Sequence, residues 1–376
     1  MIRLFAAVNG EVLSGLGGST TPTYTRIHFL LSELGRHPDV EIRSIRFGQR
    51  PRTGLFSLLY NAAARTVAAA RSARLIVKDR PLVFFAYPHS MTAVQYRMLF
   101  LLCTALQIPT AVDIHDTIEQ AHAVGSGTFA VSRRFEAFCM KHATVLIATS
   151  QPMWEHTRNK YGISGRQAII APNAFDEAFT QRYPGRYTGS NGRFNVCYIG
   201  GISRNRGVDL LVDACSVLHE RHPCLRLTLL GPYGPGVPPE TRERIERSDF
   251  IARKEIPREA VPSSLADVDL FVMPYNPHEP YLNYLSPIKI YEYIGTAKPI
   301  LCTKCASLLD IAEEGGIAYV DYDAGEMMEA IERFIVDPGL RKSASEHLLK
   351  SRMQHTWSER AERVYQGIRS SLPGTG

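Results

Sequence analysis

The sequence predicts an α/β protein built from two Rossmann-like, doubly wound domains. Short apolar runs alternate with longer amphipathic segments along all 376 residues, which is typical of parallel strands covered by helices on both faces. The pattern occurs twice in succession, and the length suits two domains better than one. Hydrophobic residues make up 45% of the chain and charged residues 21%, so there is enough apolar material for two cores.

The candidate strands of the first half are short runs rich in apolar residues. The segments between them carry helical periodicity, and the apolar run 98–106, which is too short to cross a membrane, is predicted to be a buried helix. We assign residues 1–180 to an N-terminal domain. Its strands are predicted at 3–8, 41–47, 82–86, 110–114, 145–148 and 168–171.

The second half repeats this alternation after a segment, 181–192, that is rich in Gly, Pro and polar residues and is predicted to be a linker. We assign residues 193–357 to a second domain and residues 358–376 to a C-terminal segment with a final helix. The strands of the second domain are predicted at 195–199, 226–230, 270–273, 299–301 and 318–320, with a helix at 208–221.

Charge and cysteine usage narrow the class of protein. Residues 1–190 carry 21 Lys and Arg against 12 Asp and Glu, and residues 191–376 carry 22 against 25, so the halves are expected to face different partners.

The seven cysteines mostly lie in apolar runs, which indicates reduced core thiols of a cytoplasmic protein. Cys302 and Cys305 have the spacing of half a zinc site, but no second pair matches them. No signal peptide is predicted.

The segment 286–300 has the pattern of a helix that binds an anion at its start. Ser286 is predicted to cap the first turn, and Pro287 occupies a position that a first helical turn favours. Free amides at the helix N-terminus suit a diphosphate, and Lys289 adds a full positive charge there. Glu292 lies where its carboxylate could accept hydrogen bonds from two ribose hydroxyls.

This segment resembles the donor-binding motif of the family-4 glycosyltransferases of the GT-B fold. That family follows its Glu with Tyr or Ala, a small residue, Gly, and Lys-Pro-Ile or Lys-Pro-Val, and Glu292, Gly295 and 298–300 fit the pattern. The resemblance extends over most of the chain, to Trp357. It implies two Rossmann-like domains with the active site in a cleft between them, and a C-terminal helix that packs back on the N-terminal domain.

The same motif departs from the family at one position. The family has a second Glu eight positions before the first, where it meets the transferred sugar, and here that position is Tyr284. Glu279 lies nearby and is an alternative source of the carboxylate.

A second motif, at 198–211, consists of a strand, a Gly-rich turn and a helix. Gly200 allows the backbone to approach phosphate closely, and the guanidinium of Arg206 binds phosphate oxygens in pairs. The family has a Lys-Gly pair at the place of Arg206 and Gly207. Arg204 stands in for the family's Arg, whose position is occupied by glycine here. The alternative is a solvated turn with incidental arginines.

Three further signals lie in the first domain or at its end. Gly17 and Gly18 match a Gly-Gly loop that the family directs at the donor phosphates, although a plain turn is the alternative. His115 falls at the carboxyl end of a strand, where open α/β sheets bind ligands, and resembles the family's His at the donor sugar and acceptor. Asn173 is predicted to organise the hinge through side-chain to backbone hydrogen bonds.

Two Asp-x-Asp pairs, at 267–269 and 321–323, have the spacing of a metal site. Neither has a His or carboxylate partner in the sequence pattern, so no metal is predicted.

The resemblance implies a retaining glycosyltransferase, with a UDP- or GDP-sugar as donor, a glycan, lipid-linked or small-molecule acceptor, and no required cofactor. The alternatives are a GT-B nucleotide-sugar epimerase and a non-catalytic GT-B binding subunit. No nucleic acid is expected as a partner. The predicted catalytic residues are His115, Arg206, Lys289 and Glu292, and the donor site is predicted to comprise Gly17, Gly18, Gly200, Arg204, Arg206, Ser286, Pro287, Ile288, Lys289 and Glu292.

The segment 42–77 contains no Asp or Glu but has seven arginines, with apolar residues at 55–60 between them. Basic residues beside apolar side chains suit an anionic membrane surface. The sequence therefore predicts a cytoplasmic enzyme that associates with the inner face of the membrane. The alternative is an ordinary solvated face over a core helix.

Overall fold

The computed structural model describes residues 1–15, 21–48, 54–119, 132–183, 192–234, 236–257, 260–311, 313 and 315–372. The chain divides into two compact units, the first formed by Met1–Pro172 with Trp357–Gly376 and the second by Asn173–Thr356. The first unit ends at residue 172 rather than at 180, and the predicted linker at 181–192 lies mostly outside the described residues.

The first unit contains a parallel sheet in the order β2-β1-β3-β4-β5-β6. Strands β3, β4 and β5 are buried at every position, as expected for central strands with helices on both faces. The strands are β1 (Ile2–Asn9), β2 (Val40–Ile45), β3 (Leu82–Tyr87), β4 (Thr110–Ile114), β5 (Val145–Ala148) and β6 (Ile169–Ile170).

The helices of the first unit connect these strands, and the last helix returns to the unit from the far end of the chain. They are α1 (Glu11–Ser14), α2 (Pro22–Leu34), α3 (Gly54–Asp79), α4 (Val94–Ala105), α5 (Arg133–His142), α6 (Gln151–Tyr161) and the C-terminal helix, α15 (Trp357–Ser371). The prediction of a buried helix near α4 was wrong in one respect, because Met98 and Leu101 on this helix are exposed to solvent.

The second unit contains a parallel sheet in the order β12-β11-β10-β7-β8-β9. Strand β9 was missed by the sequence analysis because Arg253 and Lys254 interrupt its apolar pattern at the edge of the sheet. The strands are β7 (Phe194–Ile199), β8 (Leu225–Leu230), β9 (Ile251–Lys254), β10 (Leu270–Met273), β11 (Ile300–Thr303) and β12 (Ile317–Val320). The two doubly wound parallel sheets confirm the predicted fold class.

The helices of the second unit are α7 (Ala178–Arg182), α8 (Val208–Arg221), α9 (Pro239–Arg247), α10 (Val261–Ser264), α11 (Ile288–Thr296), α12 (Ala306–Leu309), α13 (Ala324–Val336) and α14 (Pro338–Ser351). Helix α8 has the predicted bounds. Throughout the described part of the chain, no helix has both the length and the apolar character needed to span a membrane.

Candidate active site

The second sheet has its topological switch point between β7 and β10. These two strands are neighbours in the sheet although 70 residues lie between Ile199 and Leu270 in the chain. That intervening segment contains β8 and β9. The chain leaves β7 and β10 in opposite directions, which opens a crevice outside the carboxyl ends of the strands, where doubly wound sheets bind ligands. Gly200 follows β7 at this edge, and Pro274 and Tyr275 follow β10.

Two cations meet at this edge on a tyrosine scaffold. The Lys289 ammonium lies 4.7 Å from the centre of the Tyr198 ring and 3.3 Å from the Tyr198 hydroxyl. The Arg206 guanidinium donates a hydrogen bond of 2.5 Å to the Tyr275 hydroxyl and lies 5.0 Å from the centre of that ring. Lys289 is also 5.5 Å from the Tyr275 ring, so the two tyrosines hold both cations in place.

The charges of Arg206 and Lys289 are not neutralised by a neighbouring acid. Within the described residues neither side chain forms an ion pair with a carboxylate. Burial away from water is the main cause that lowers the pKa of Lys289 well below its ordinary value, and the charge of Arg206 lowers it further. The charge of Glu292 only partly opposes this shift. An anion bound between the two cations would relieve their repulsion, so the site has the electrostatics of a phosphate pocket.

Two glycines allow this close packing. A Cβ at Gly200 would lie 2.2 Å from the Lys289 Nζ atom, and the φ of this residue is +128°. A Cβ at Gly207 would lie 1.7 Å from the Pro274 carbonyl oxygen, and here φ is +67°. Both positions therefore need glycine for space and for backbone conformation.

The start of α11 differs from the prediction. Pro287 occupies the N-cap position, and Ser286 does not cap the helix through its side chain. The Ser286 hydroxyl instead accepts a hydrogen bond of 3.0 Å from the Asn173 backbone N–H, and the Asn173 side chain donates to the Ser286 carbonyl. Proline has no N–H, so the helix start presents the amides of Ile288 and the residues after it.

Helix α11 is buried along almost its whole length, and Lys289 is the residue that is partly exposed. Glu292 is 5% exposed and lies one turn after Lys289, whose charge it influences. The Tyr293 hydroxyl accepts a hydrogen bond of 2.8 Å from the Ile199 backbone N–H, which ties the helix to the end of β7. The structure therefore brings Gly200, Arg206, Lys289 and Glu292 into one neighbourhood.

Arg204 is placed differently from Arg206. Its side chain is 73% exposed, and its Nε atom lies 3.8 Å from an Asp209 carboxylate oxygen. A surface pair of this kind contributes little energy, so Arg204 is free to reorient toward a ligand.

The sequence departs from the family motif at Tyr284, and Glu279 is the nearby alternative carboxylate. Tyr284 is 8% exposed and directly follows the short 3₁₀ helix Pro280–Asn283. Glu279 is half-buried and occupies the N-cap position of that helix without a capping hydrogen bond from its side chain. The neighbouring His278 contacts the Tyr322 ring at 6.3 Å. No carboxylate occupies position 284.

In the first unit, His115 directly follows β4 and its side chain is 3% exposed. Its Nδ1 atom lies 3.5 Å from an Asp113 carboxylate oxygen, and within the described residues neither ring nitrogen has a hydrogen-bond partner of good geometry. Asp116 accepts a hydrogen bond from the Thr117 N–H and so shapes the loop that follows. Gly17 and Gly18 lie outside the described residues.

Three of the four carboxylates in the two Asp-x-Asp pairs have structural partners. The Asp269 carboxylate accepts a hydrogen bond of 2.8 Å from the Asn195 N–H, Asp321 pairs with Lys304 at 3.0 Å, and Asp323 caps α13. Cys302 and Cys305 are buried as free thiols, and burial raises the pKa of the Cys305 thiol to about 11. The described ranges contain no group of three or more His, Cys, Asp or Glu side chains suited to a metal ion.

The sequence analysis missed the tyrosines that support the cations. Tyr275 is two residues beyond the end of β10, a position where a polar side chain at the carboxyl edge could have been noticed. Tyr198 lies inside an apolar strand, and nothing in the local pattern distinguishes it from an ordinary core residue.

Comparison with known proteins identifies a matching family model and similar sequences. Residues 193–337 match the family model for glycosyl transferases group 1, and this range contains both cations and α11. Over 270 residues the chain is 23% identical to an alpha-D-kanosaminyltransferase of Streptomyces kanamyceticus, which covers 66% of this chain and 67% of the relative. It is also 23% identical over 270 residues to a D-inositol 3-phosphate glycosyltransferase of Corynebacterium urealyticum, covering 65% of this chain and 62% of that protein.

Solved structures match over nearly the whole chain. HepE of Anabaena in complex with UDP has a TM-score of 0.68 at 15% identity, covering 99% of this chain and 100% of that one. A sucrose-phosphate synthase of Thermosynechococcus elongatus also has a TM-score of 0.68, at 16% identity, covering 98% of both chains. The fold is that of the GT-B proteins. Together, the family model and the relatives support a glycosyltransferase of the GT-B type.

Proposed function

We propose that the protein is a retaining glycosyltransferase that takes its sugar from a UDP- or GDP-sugar. The observation that carries this proposal is the pair of unneutralised cations, Arg206 and Lys289, beside the N-terminus of α11 at the switch point of the second sheet. A nucleoside diphosphate supplies the negative charge that this arrangement lacks. UDP is the first candidate because HepE structures contain UDP and UDP-glucose.

The chemistry assigned to these residues is electrostatic. As the bond between the sugar and the diphosphate breaks, negative charge grows on the departing phosphate oxygens. Arg206, Lys289 and the amides at the start of α11 stabilise that charge because they are already in position before the reaction. Glu292 is assigned to the ribose hydroxyls, and Arg204 to an outer phosphate oxygen. His115 is assigned to the acceptor side. The family resemblance implies that the transferred sugar keeps its anomeric configuration.

The donor assignment is tested by ligand binding. A thermal-shift screen with UDP, GDP, dTDP and ADP sugars identifies the base, and calorimetry then measures affinity. In Lys289→Met the dissociation constant for the donor is expected to rise about tenfold or more, because the variant loses one charge-assisted hydrogen bond to the ligand. Lys342→Met is the matched control, because Lys342 is exposed on α14. Equal affinities in the two variants would contradict the assignment.

We propose that no metal ion is required. The carboxylates of Asp269, Asp321 and Asp323 already form structural hydrogen bonds or an ion pair. Protein cations can carry out the charge neutralisation that a metal performs elsewhere. Activity is therefore expected to persist in EDTA. Loss of activity on chelation, with recovery on addition of Mn²⁺ or Mg²⁺, would show that the proposal is wrong.

Product analysis separates this function from its alternatives. A transferase releases nucleotide only when an acceptor is present, whereas an epimerase converts the donor sugar alone. A non-catalytic subunit, the alternative that Tyr284 favours, binds the donor and turns over no acceptor.

We further propose that the enzyme works at an anionic membrane surface, with a lipid-linked or membrane-proximal glycan as acceptor. The support is an exposed apolar face, called here the α3–α4 surface, in which Phe56 is 68% exposed and Met98 60%. Arg71 and Arg74 are exposed on the same helix, α3. The residues of this surface are Leu55, Phe56, Leu59, Val67, Val94 and Met98.

Vesicle co-sedimentation tests the membrane proposal. Apolar side chains insert at the lipid interface while arginines attract anionic headgroups, at about 1 kcal/mol for each basic residue. Binding is expected with anionic vesicles, weaker with neutral ones, and reduced by salt. Phe56→Glu is expected to abolish binding. Val217→Glu is the control, because it changes an exposed apolar residue on α8 of the second unit, and it is expected to leave binding intact. Equal recovery of both variants would remove the membrane proposal alone.

A further inference from the structure

The end of β11 is bonded to the loop between β10 and α11, residues 274–286. Thr303 is the last residue of β11, and β10, its neighbour in the sheet, ends one residue pair earlier. The Thr303 side chain lies beside the first residues of the loop, and its hydroxyl donates a hydrogen bond of 2.5 Å to the Tyr275 carbonyl. Thr303 is therefore bonded to the backbone of the residue whose ring supports Arg206.

This hydrogen bond is fully buried. Thr303 and Tyr275 are each 0% exposed, and a buried carbonyl that loses its donor is costly. The Cys305 thiol is a second donor to the same carbonyl, with its Sγ atom at 3.6 Å. Burial raises the pKa of this thiol to about 11, so it keeps its proton. Because a thiol is a weak donor, the Thr303 hydroxyl makes the stronger of the two bonds.

The side chain of Tyr275 connects this buried bond to the two cations. Its hydroxyl accepts the hydrogen bond of 2.5 Å from Arg206, and its ring centre lies 5.0 Å from the guanidinium and 5.5 Å from the Lys289 ammonium. A tyrosine side chain turns about only two bonds, so the position of its hydroxyl follows that of its backbone. A shift of the Tyr275 backbone would therefore move the Arg206 guanidinium.

A second hydroxyl binds the same loop at a different residue. The Ser307 hydroxyl donates a hydrogen bond of 2.6 Å to the Leu282 carbonyl, and Ser307 is 3% exposed. The two bonds are alike in chemistry and burial, and both join the loop to the chain that follows β11. Only the bond from Thr303 reaches a residue that contacts a cation, so Ser307 provides a matched comparison.

We propose that Thr303 is a positioning residue for the donor diphosphate and acts through Tyr275 on Arg206. Its hydroxyl fixes the Tyr275 carbonyl, and the Tyr275 side chain then holds the guanidinium in place before the ligand arrives. A cation that is already ordered binds an anion more tightly than one that must be ordered on binding. The inference rests on the proposed function in taking the ligand to be a nucleoside diphosphate.

Calorimetry with UDP on the full chain tests the effect on affinity. Thr303→Val keeps the size of the side chain and removes the hydroxyl, and it is expected to raise the dissociation constant for UDP about tenfold. Thr303→Ser keeps the hydroxyl and is expected to restore most of the affinity. Ser307→Ala is the control and is expected to bind UDP as the unmodified protein does. Equal dissociation constants in Thr303→Val and Ser307→Ala overturn the inference.

A double-mutant cycle separates an action on Arg206 from a general loosening of the loop. If Thr303 acts through Arg206, adding Thr303→Val to Arg206→Met is expected to weaken UDP binding by less than about a further twofold. The same loss from Thr303→Val in both backgrounds would show that the hydroxyl supports the loop as a whole, and it would overturn the role assigned to Arg206.

Side-chain NMR of the ligand-free protein gives a readout that does not depend on the ligand. The Arg206 Nε–H signal is assigned with Arg206→Met. It is expected to shift in Thr303→Val and to keep its position in Thr303→Ser and Ser307→Ala. An unchanged signal in Thr303→Val overturns the inference whether or not UDP binds. A shifted signal, together with no UDP binding by the unmodified protein, would contradict the proposed function alone.

Discussion

The pair formed by Arg26 and Asp113 fixes the residues around His115. The Arg26 Nε atom lies 2.9 Å from one Asp113 oxygen and its Nη2 atom 2.6 Å from the other, with side-chain exposures of 1% and 0%. Burial alone would raise the pKa of Asp113, but the Arg26 guanidinium outweighs it and holds the pKa well below its usual range. The pair joins α2 to β4, two residues before His115.

We expect Asp113→Asn to destabilise the protein by about 3–5 kcal/mol, because it leaves the Arg26 charge buried without a counter-charge. Urea unfolding measures this value. Glu41→Gln, which breaks the exposed pair with Arg43, is the control and is expected to change the stability far less, because solvent screens an exposed pair. Similar losses in both variants would refute the argument.

The same pair predicts a dependence of stability on pH. The pKa of Asp113 is lowered on folding, so its contribution is present above the unfolded value, at about pH 4, and is lost as the pH falls below it. We expect the stability difference between the unmodified protein and Asp113→Asn to be constant near neutral pH and to shrink in acid. A difference that grows in acid would contradict the sign.

Gly200 controls the position of Lys289. In Gly200→Ala, the new Cβ would displace the Lys289 ammonium, and the positive φ adds backbone strain. We expect donor affinity to fall by about tenfold, as for loss of one charged contact. Gly236→Ala is a matched control, since Gly236 also has a positive φ, of +75°, but has open space around it. Equal donor affinity in the two alanine variants would show that Gly200 does not position Lys289.

At the scale of elements, α11 is held at both ends within the second unit. Asn173 binds Ser286 just before the helix, and the Arg352 guanidinium donates a hydrogen bond of 3.1 Å to the Gly295 carbonyl at its end. A Cβ at Gly295 would come within 2.8 Å of the Phe175 ring, so this glycine serves close packing. A helix fixed in this way presents Lys289 and Glu292 without rearrangement when a ligand binds.

We expect Glu292→Ala to lose most transferase activity while the fold stays intact. Two charge-assisted hydrogen bonds to ribose hydroxyls would together be worth about 3 kcal/mol or more, a loss of at least about a hundredfold in kcat/KM. Circular dichroism checks the fold, and Glu329→Ala, on the exposed face of α13, is the control. Activity within about twofold of the unmodified protein would be inconsistent with a ribose contact.

At the scale of the whole molecule, the first unit is discontinuous in sequence. Helix α15 packs on α2, where the Trp357 and Phe29 rings stack with centres 5.8 Å apart. The Tyr365 ring stacks on His37 at 3.7 Å, and its hydroxyl lies 3.3 Å from the Asp39 carboxylate. The apolar side of α15 is thus part of the core of the first unit.

This arrangement predicts different behaviour for the two units in isolation. Residues 173–356 are expected to fold alone and to bind UDP, because the unit is continuous and contains both cations. Residues 1–172 are expected to remain unfolded, because α2 would expose the apolar surface that α15 covers. Fusing residues 357–376 before residue 1 through a flexible linker is expected to restore folding, as measured by thermal unfolding. A cooperative transition of 1–172 alone would contradict this prediction.

The sequence was sufficient where local pattern controls structure. The bounds of α8 and the carboxyl-edge position of His115 followed from periodicity over a few residues. The sequence was insufficient where residues that are distant in the chain compete for the same hydrogen-bonding group. Ser286 was expected to cap α11, but Asn173, which is 113 residues away in the chain, takes its hydroxyl. The exposure of Met98 on α4 likewise depends on which helix face finds a covering partner.

By itself, the sequence determined the two doubly wound domains, the Gly-rich loop with Arg206 and the helix with Lys289 and Glu292. These features depend on the alternation of short apolar strands and helices and on residue types at fixed spacing. Only the tertiary structure decided the strand order, which makes β7 and β10 neighbours and so places Tyr198 and Tyr275 around both cations. Pairing between distant strands depends on how whole faces pack, and that information is not contained in any local stretch of sequence.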